Sequence, residues 1–356
     1  MTHLQKFQQK LQEGQAALIS SSQNRFYLSG FQYDDGYLLI FRARAVLLTD
    51  FRYEEAAEQH ADPAFEILCP KRGMLDAVRE LLLGEGISEL LIEEESVTVA
   101  LRESLAQKLD DVTVHKGASA CLTALRAFKD EGELAAMAEA QRITDAAFTH
   151  ILGYLKPGVR EIDVALELEF FMRRSGAAGI AFHTIAVSGA ASSLPHGVPR
   201  SCTLEKGFLT MDFGARVGGY CADMTRTVVI GKADAEMKHL YSTVLRAQQA
   251  ALDRAAQGVS CRALDLVARD IIDGAGYEGR FGHSLGHGVG IDVHEAPRLS
   301  RSAPESAVLL PGHVVTVEPG IYLAGKYGCR IEDMIAVNPD GSIRNFTKSD
   351  KDLIEI

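Results

Sequence analysis

Residues 208–230, FLTMDFGARVGGYCADMTRTVVI, read as a β-hairpin that carries two acids. Period-two alternation puts Phe208, Thr210 and Asp212 on one face of the first strand. Asp223, Thr225 and Thr227 share a face of the second, and Gly214, Gly218 and Gly219 supply the turn. A lone Asp in such a run can simply mark a turn, but Asp223 sits inside an otherwise strand-like segment. Two acids on facing strands can share a pair of metals.

Further along, the pattern recurs. VVTVEPG (314–320) is an apolar strand ending at Glu318, and CRIEDMIAV (329–337) carries Glu332. Between the two strand pairs lies HSLGHGVGIDVHEAP (283–297), with His283, His287 and His294 among Gly286, Gly288 and Gly290. Glycines let the backbone approach a ligand closely, and imidazoles bind metal or move protons near neutral pH. His196, in SLPHG, can reach the same place.

Asp212, Asp223, His287, Glu318 and Glu332 each lie in an apolar or glycine-rich segment, where a charge is expensive to bury. Four carboxylates brought together raise one another's pKa unless cations neutralise them. Two divalent ions balance four negative charges, and a neutral imidazole completes the donor set. Carboxylate-rich ligation with one His suits manganese, iron or cobalt better than a thiolate zinc site. The pattern is that of a two-metal hydrolase.

The helices around these strands also come in two sets. A long helical pattern runs from residue 122, with Ile143, Ala146, Ala147 and Ile151 on one face, until Pro157-Gly158 breaks it. A second helix, 161–175, has Val164, Leu168, Phe171 and Met172 in register. Gly258 then punctuates another pair, with 261–273 carrying Leu264, Val267, Ala268, Ile271 and Ile272. The reading is a duplicated helix-pair unit. Before residue 122 the chain alternates strands (16–21, 37–42, 45–49, 65–69, 89–94) with helices near 52–59, 73–84 and 98–108. That alternation predicts an α/β domain with a mixed sheet, spanning 1–122, ahead of a second domain at 123–356.

A net charge of −11 offers no basic surplus for nucleic acid. The N-terminus is an amphipathic helix without a signal-peptide core, and no stretch spans a membrane. Six cysteines without a CxxC pair read as reduced thiols, so the expectation is a soluble, cytoplasmic protein. Gly282-His-Ser284-Leu-Gly286 matches the G-x-S-x-G nucleophile elbow but lacks the strand before and the helix after that the elbow requires. Gly286-His-Gly288-Val-Gly290 has the wrong spacing for a dinucleotide fingerprint.

MDFGARVGGYCADMTRT, HSLGHGVGIDVHEAP, VEPGIYLAGKYGCRIED and SGAASSLPHG together resemble the Xaa-Pro peptidases, prolidase and aminopeptidase P. The resemblance covers essentially the whole chain, including LRAFKDEGEL. It implies an α/β (α+β) architecture, with a creatinase-like N-terminal domain followed by a pita-bread catalytic domain. It also implies two divalent ions, Mn2+ above all with Co2+, Fe2+ or Zn2+ as alternatives, and a homodimer. Asp212, Asp223, His287, Glu318 and Glu332 match the family's metal ligands, and Arg330 matches an arginine behind them. His196, His283 and His294 match its substrate-side histidines. One departure is His183, where many relatives carry an acid. Creatinase shares the fold without this ligand set, and methionine aminopeptidases usually lack so large a first domain.

The resemblance implies a peptidase acting on small peptides with proline in second position. Glu318 is the expected general base, His294 and His283 the groups that hold the scissile carbonyl, and His196 the seat of the proline. Arg298 and Tyr220 are candidate substrate contacts. Arg298 or Arg301 could pair with the free carboxylate of a dipeptide. The alternatives are creatinase-like C–N hydrolysis and a non-catalytic pita-bread binding protein.

Overall fold

The five apolar runs of the first third all become strands, each ending short of the predicted limit. The computed structural model describes all 356 residues and divides into two units, Met1–Arg126 and Ala127–Ile356. In the first, β1 (Gln15–Ile19), β2 (Tyr37–Ile40), β3 (Ala45–Leu48), β4 (Glu66–Leu68), β5 (Glu89–Ile92) and β6 (Thr113–Lys116) form one sheet in the order β4-β3-β2-β1-β5-β6. The sheet is mixed, with β1/β2 and β2/β3 antiparallel and the other pairs parallel. Its helices are α1 (His3–Gln8), α2 (Ser22–Ser29), α3 (Glu54–His60), α4 (Met74–Gly84), α5 (Val99–Lys108) and α6 (Ala118–Arg126). Leu18, Leu39, Val46 and Leu90 pack with Val78 and Leu82 of α4 and Leu105 of α5. Neither α2 nor β6 was predicted, because each is short and polar.

The expected limit at residue 122 falls inside α6, and the long helical pattern starting there is interrupted. A new helix, α7 (Glu131–Tyr154), begins behind Asp130. Asp130 accepts from Glu133 N–H and Glu133 returns the bond to Asp130 N–H, a capping box. Just before it, Lys129 N–H donates to Gly312 O at 2.8 Å, which is incompatible with a continuous helix.

The second unit shows the duplication clearly. After α7 comes α8 (Glu161–Arg174); later α9 (Ala235–Arg254) is followed by α10 (Cys261–Ile272). Each pair turns at a glycine with positive φ, Gly158 at 91° and Gly258 at 80°. Each turn then makes the same two contacts with a later segment. Leu204 N–H donates to Val159 O and Leu309 N–H to Val259 O, while Glu161 N–H donates to Cys202 O and Cys261 N–H to Ala307 O.

The strands of this unit are β7 (Gly179–Ile180), β8 (Ile185–Ser188), β9 (Gly207–Phe213), β10 (Ala215–Val217), β11 (Tyr220–Cys221) and β12 (Met224–Ile230), then β13 (Gly286–Gly288), β14 (Glu295–Leu299), β15 (Val314–Val317), β16 (Gly320–Leu323), β17 (Tyr327–Arg330), β18 (Asp333–Val337) and β19 (Ile343–Asn345). The expected hairpin is two ladders rather than one. β9 pairs with β12 beside β8, while β10 pairs with β11 and β7. Gly218 and Gly219 make the turn, but Gly214 does not. It lies where the ladders meet, and a Cβ there would sit 1.8 Å from Ala222 O. The other acid pair lies at a similar junction, where β15–β18 gives way to β16–β17.

Candidate active site

The four acids come from these two junctions. Asp212 ends toward the junction on β9, opposite Thr225, and Asp223 immediately precedes β12. Glu318 follows β15, and Glu332 lies between β17 and β18. His287 is the middle residue of β13, which pairs with β15. All five side chains line one cavity of about 380 Å³.

Ligand atoms of Asp223, His287 and Glu332 all lie within 4.8 Å of one another. His287 Nε2 is 3.2 Å from Glu318 Oε1 and 3.7 Å from Asp223 Oδ2, while its Nδ1 faces Gly288 O at 3.1 Å. That backbone contact aims Nε2 at the acids, as a ligating histidine requires. Asp212 Oδ2 accepts from Arg330 Nη2 at 2.6 Å, but its Oδ1 is buried without a hydrogen-bond partner. An orphaned carboxylate oxygen beside three more acids is chemically suited to a cation.

Electrostatics point the same way. Burial, then the charge of Glu332, pushes Asp223 well above the usual carboxylate range. Burial and Glu318 do the same to Glu332. Asp212 is also raised by burial, with Arg330 opposing. Burial raises Glu318 too, but the hydrogen bond and charge of His287 outweigh it and hold that carboxyl at about 2. His287 is raised in turn, Glu318 overcoming the effect of burial. Glu318 thus favours the protonated imidazole, whereas metal ligation requires the neutral ring.

The residues behind the acids include Thr225, which the sequence reading placed on the Asp223 face without a role, and two that it passed over, Thr316 and Tyr322. Thr225 Oγ1 donates to Glu332 Oε2 at 2.7 Å and accepts from Arg330 Nε at 2.9 Å. Thr316 Oγ1 accepts from His287 N–H and donates to Glu318 Oε1. The Tyr322 hydroxyl accepts from Arg330 Nη1 at 2.7 Å and lies 3.0 Å from His283 Nε2. The strand periodicity that placed Thr225 beside Asp223 could also have found Thr316, which precedes Glu318 by two.

His196, His283, His294 and Arg298 also line the cavity, as does His183. The rings of His287 and His294 are 4.3 Å apart, edge to face. Burial lowers the pKa of both His283 and His294. Arg301 is not part of the lining. Tyr220 requires a correction, because it is buried outside the lining and its hydroxyl donates to Glu133 Oε1 at 2.9 Å. The turn at Gly218-Gly219 carries it toward α7 and away from the acids. Ser284 does line the cavity, but a strand follows it instead of a helix, so the elbow geometry is absent.

Residues 135–339 match the model for metallopeptidase family M24. The chain belongs to this family. Residues 3–128 match the Creatinase/Prolidase N-terminal domain. The M24 chain is 36% identical to a Xaa-Pro dipeptidase of Pyrococcus horikoshii over 95% of its own length and 94% of the relative's. Among solved structures it is similar to a Xaa-Pro dipeptidase from Bacillus anthracis, with a TM-score of 0.94, 39% identity and 99% of each chain covered. It also resembles the X-Pro aminopeptidase of Thermotoga maritima, with a TM-score of 0.89, 37% identity, and 96% and 97% of the two chains covered. This M24 protein is therefore a metallopeptidase with a creatinase-type first domain and a pita-bread catalytic unit.

Proposed function

We propose that this metallopeptidase hydrolyses the bond between an N-terminal residue and a following proline. We further propose that Asp212, Asp223, His287, Glu318 and Glu332 hold two divalent ions. The observation that carries the metal assignment is that three buried acids, the half-buried Glu318 and one imidazole line a single cavity, with Asp212 Oδ1 left unpartnered. The substrate assignment is supported by relatives named Xaa-Pro dipeptidase and X-Pro aminopeptidase that match nearly the whole chain. Phe182, Ile185, Pro195, Val198 and Val293 add apolar wall suited to a pyrrolidine ring.

When bound, two divalent ions, Mn2+ first among Mn2+, Co2+, Fe2+ and Zn2+, would acidify a water and polarise the scissile carbonyl. Glu318 takes the proton of the attacking water and passes it to the leaving proline nitrogen. His294, exposed at the cavity, donates to the carbonyl oxygen as negative charge develops there. His283 supports the same oxygen as the imidazolium, because its Nδ1 faces Ser284 O at 2.9 Å and only the protonated ring keeps a donor at Nε2. His196 seats the proline, and Arg298, which lines the same cavity, is the cation that meets the free carboxylate of a dipeptide. The enzyme accepts both Xaa-Pro dipeptides and longer Xaa-Pro-Yaa peptides.

The test is a panel of dipeptides, tripeptides and matched peptides without proline, assayed after Mn2+ loading. Turnover confined to peptides with proline second is the expected result. Equal rates on the controls would overturn the reading.

A further inference from the structure

Each of the paired helices α8 and α10 places one fully buried carboxylate beneath a loop that carries a cavity histidine. On α10 it is Asp265, whose Oδ1 accepts from Leu285 N–H at 3.0 Å. Arg269, one turn later, closes on the same carboxylate through Nε at 2.9 Å and Nη2 at 3.1 Å. The guanidinium then donates outward, from Nη1 to Phe281 O at 2.6 Å and from Nη2 to His283 O at 3.0 Å. It also lies 4.3 Å over the Phe281 ring, which meets His283 edge to face. Three backbone points, at 281, 283 and 285, are thereby tied to one helix.

On α8 the counterpart is Glu161. It accepts from Ser188 N–H at 2.7 Å and from Arg200 N–H at 3.0 Å, and Arg200 Nη2 reaches it at 2.6 Å. This clasp closes the segment that carries His196. The two differ in stiffness, because the Arg200 side chain is 41% exposed and that of Arg269 only 12%. Both guanidiniums are bidentate, Arg200 through Nε at 2.9 Å and Nη2 at 2.6 Å, but the less exposed, ring-stacked Arg269 holds a narrower geometry than one in solvent.

We infer that Asp265 and Arg269 are positioning residues that fix His283 for the reaction, while Glu161 and Arg200 position the loop of His196. The inference rests on the proposed roles of the two histidines. Neither pair touches substrate. The Asp265–Arg269 clasp acts on a group whose contact tightens in the transition state, so its loss lowers kcat more than it raises KM. Loss of the Glu161–Arg200 clasp loosens ground-state seating and raises KM more than it lowers kcat.

The experiment compares Arg269→Met, Arg269→Lys and Arg200→Met with the parent in Mn2+-loaded protein on an Xaa-Pro dipeptide. Metal content and urea midpoint are measured alongside. Arg269→Met should lower kcat by about tenfold to a hundredfold with metal content retained. Lysine should restore part of the loss, because the charge returns without the fork. Combined with His283→Ala, Arg269→Met should cost nothing further in kcat, whereas a merely structural role predicts that the two losses multiply. Multiplying losses, or a split between kcat and KM that is the same for Arg269 and Arg200, would overturn the inference. Parent enzyme inactive on Xaa-Pro peptides would instead remove the reading of function beneath it.

Discussion

Glu93 in the first unit and Asp212 in the second are both buried carboxylates, yet they live in opposite surroundings. Glu93 is met by Ser20 N–H and Oγ–H, Ser21 N–H and Oγ–H, and Asn24 Nδ2, so every lone pair has a donor. It fastens the start of α2 to the end of β5 and needs nothing else. Asp212 has one arginine on Oδ2 and no donor on Oδ1, with Asp223, Glu318 and Glu332 around the same cavity. The lesson is that burial alone does not mark a functional acid. What marks it is burial without enough donors, which the fold tolerates only because a ligand completes the site.

The largest expected effect is metal removal. Dialysis against a chelator should abolish peptidase activity, and Mn2+ or Co2+ should restore it, with far-UV circular dichroism unchanged throughout. Full activity in metal-free protein would erase the contrast between the two acids. Next comes Glu318→Gln, which keeps the shape and removes the proton acceptor. Its kcat should fall by at least ~10²-fold, and more if metal content drops. A near-normal rate with both ions bound moves the base elsewhere.

A direct comparison of the two regions follows from replacing Glu93 and Glu332. Glu93→Ala should cost about 3 kcal/mol in urea unfolding of the first unit, because several donors lose their acceptor, and leave metal content intact. Glu332→Gln should reduce metal content yet leave the metal-free protein equally or more stable. Burial and neighbouring charge already push that carboxyl well up, so the substitution removes a buried repulsion. Equal destabilisation by both would make Glu332 a structural acid like Glu93.

Smaller effects separate the histidines. His294→Ala should lower kcat by roughly tenfold or more with little change in KM, and His196→Ala should mainly raise KM. The same split in both variants would mean their roles are misassigned. The smallest shift belongs to Arg298→Ala. It should raise KM a few-fold, on the order of one lost charge-assisted contact, for Xaa-Pro dipeptides and hardly at all for Xaa-Pro-Yaa peptides. An unchanged dipeptide KM leaves Arg298 a solvated residue at the cavity mouth.

How much could be read in advance varied with the range of the interaction concerned. The strands 37–40 and 45–48 were legible because every residue is apolar and the period is short. The break between α6 and α7 was not, because it is set by Lys129 bonding to Gly312, which lies far along the chain. Among site residues, Asp212, Asp223, His287, Glu318 and Glu332 stood out as charges or imidazole in segments otherwise built for burial. Tyr220, expected as a substrate contact, is instead sent to Glu133 by the turn at Gly218-Gly219.

By itself the sequence determined which residues could bear charge in an apolar setting, the two helix pairs punctuated by Gly158 and Gly258, and the mixed character of the first sheet. Those are local properties, fixed by side-chain chemistry and by period. Only the tertiary structure decided that the four acids meet at two ladder junctions, that Asp212 Oδ1 is left without a donor, and that Asp265 and Arg269 lie under His283. These are consequences of long-range strand register and of which buried polar groups find partners, and neither can be read from nearest neighbours in the chain.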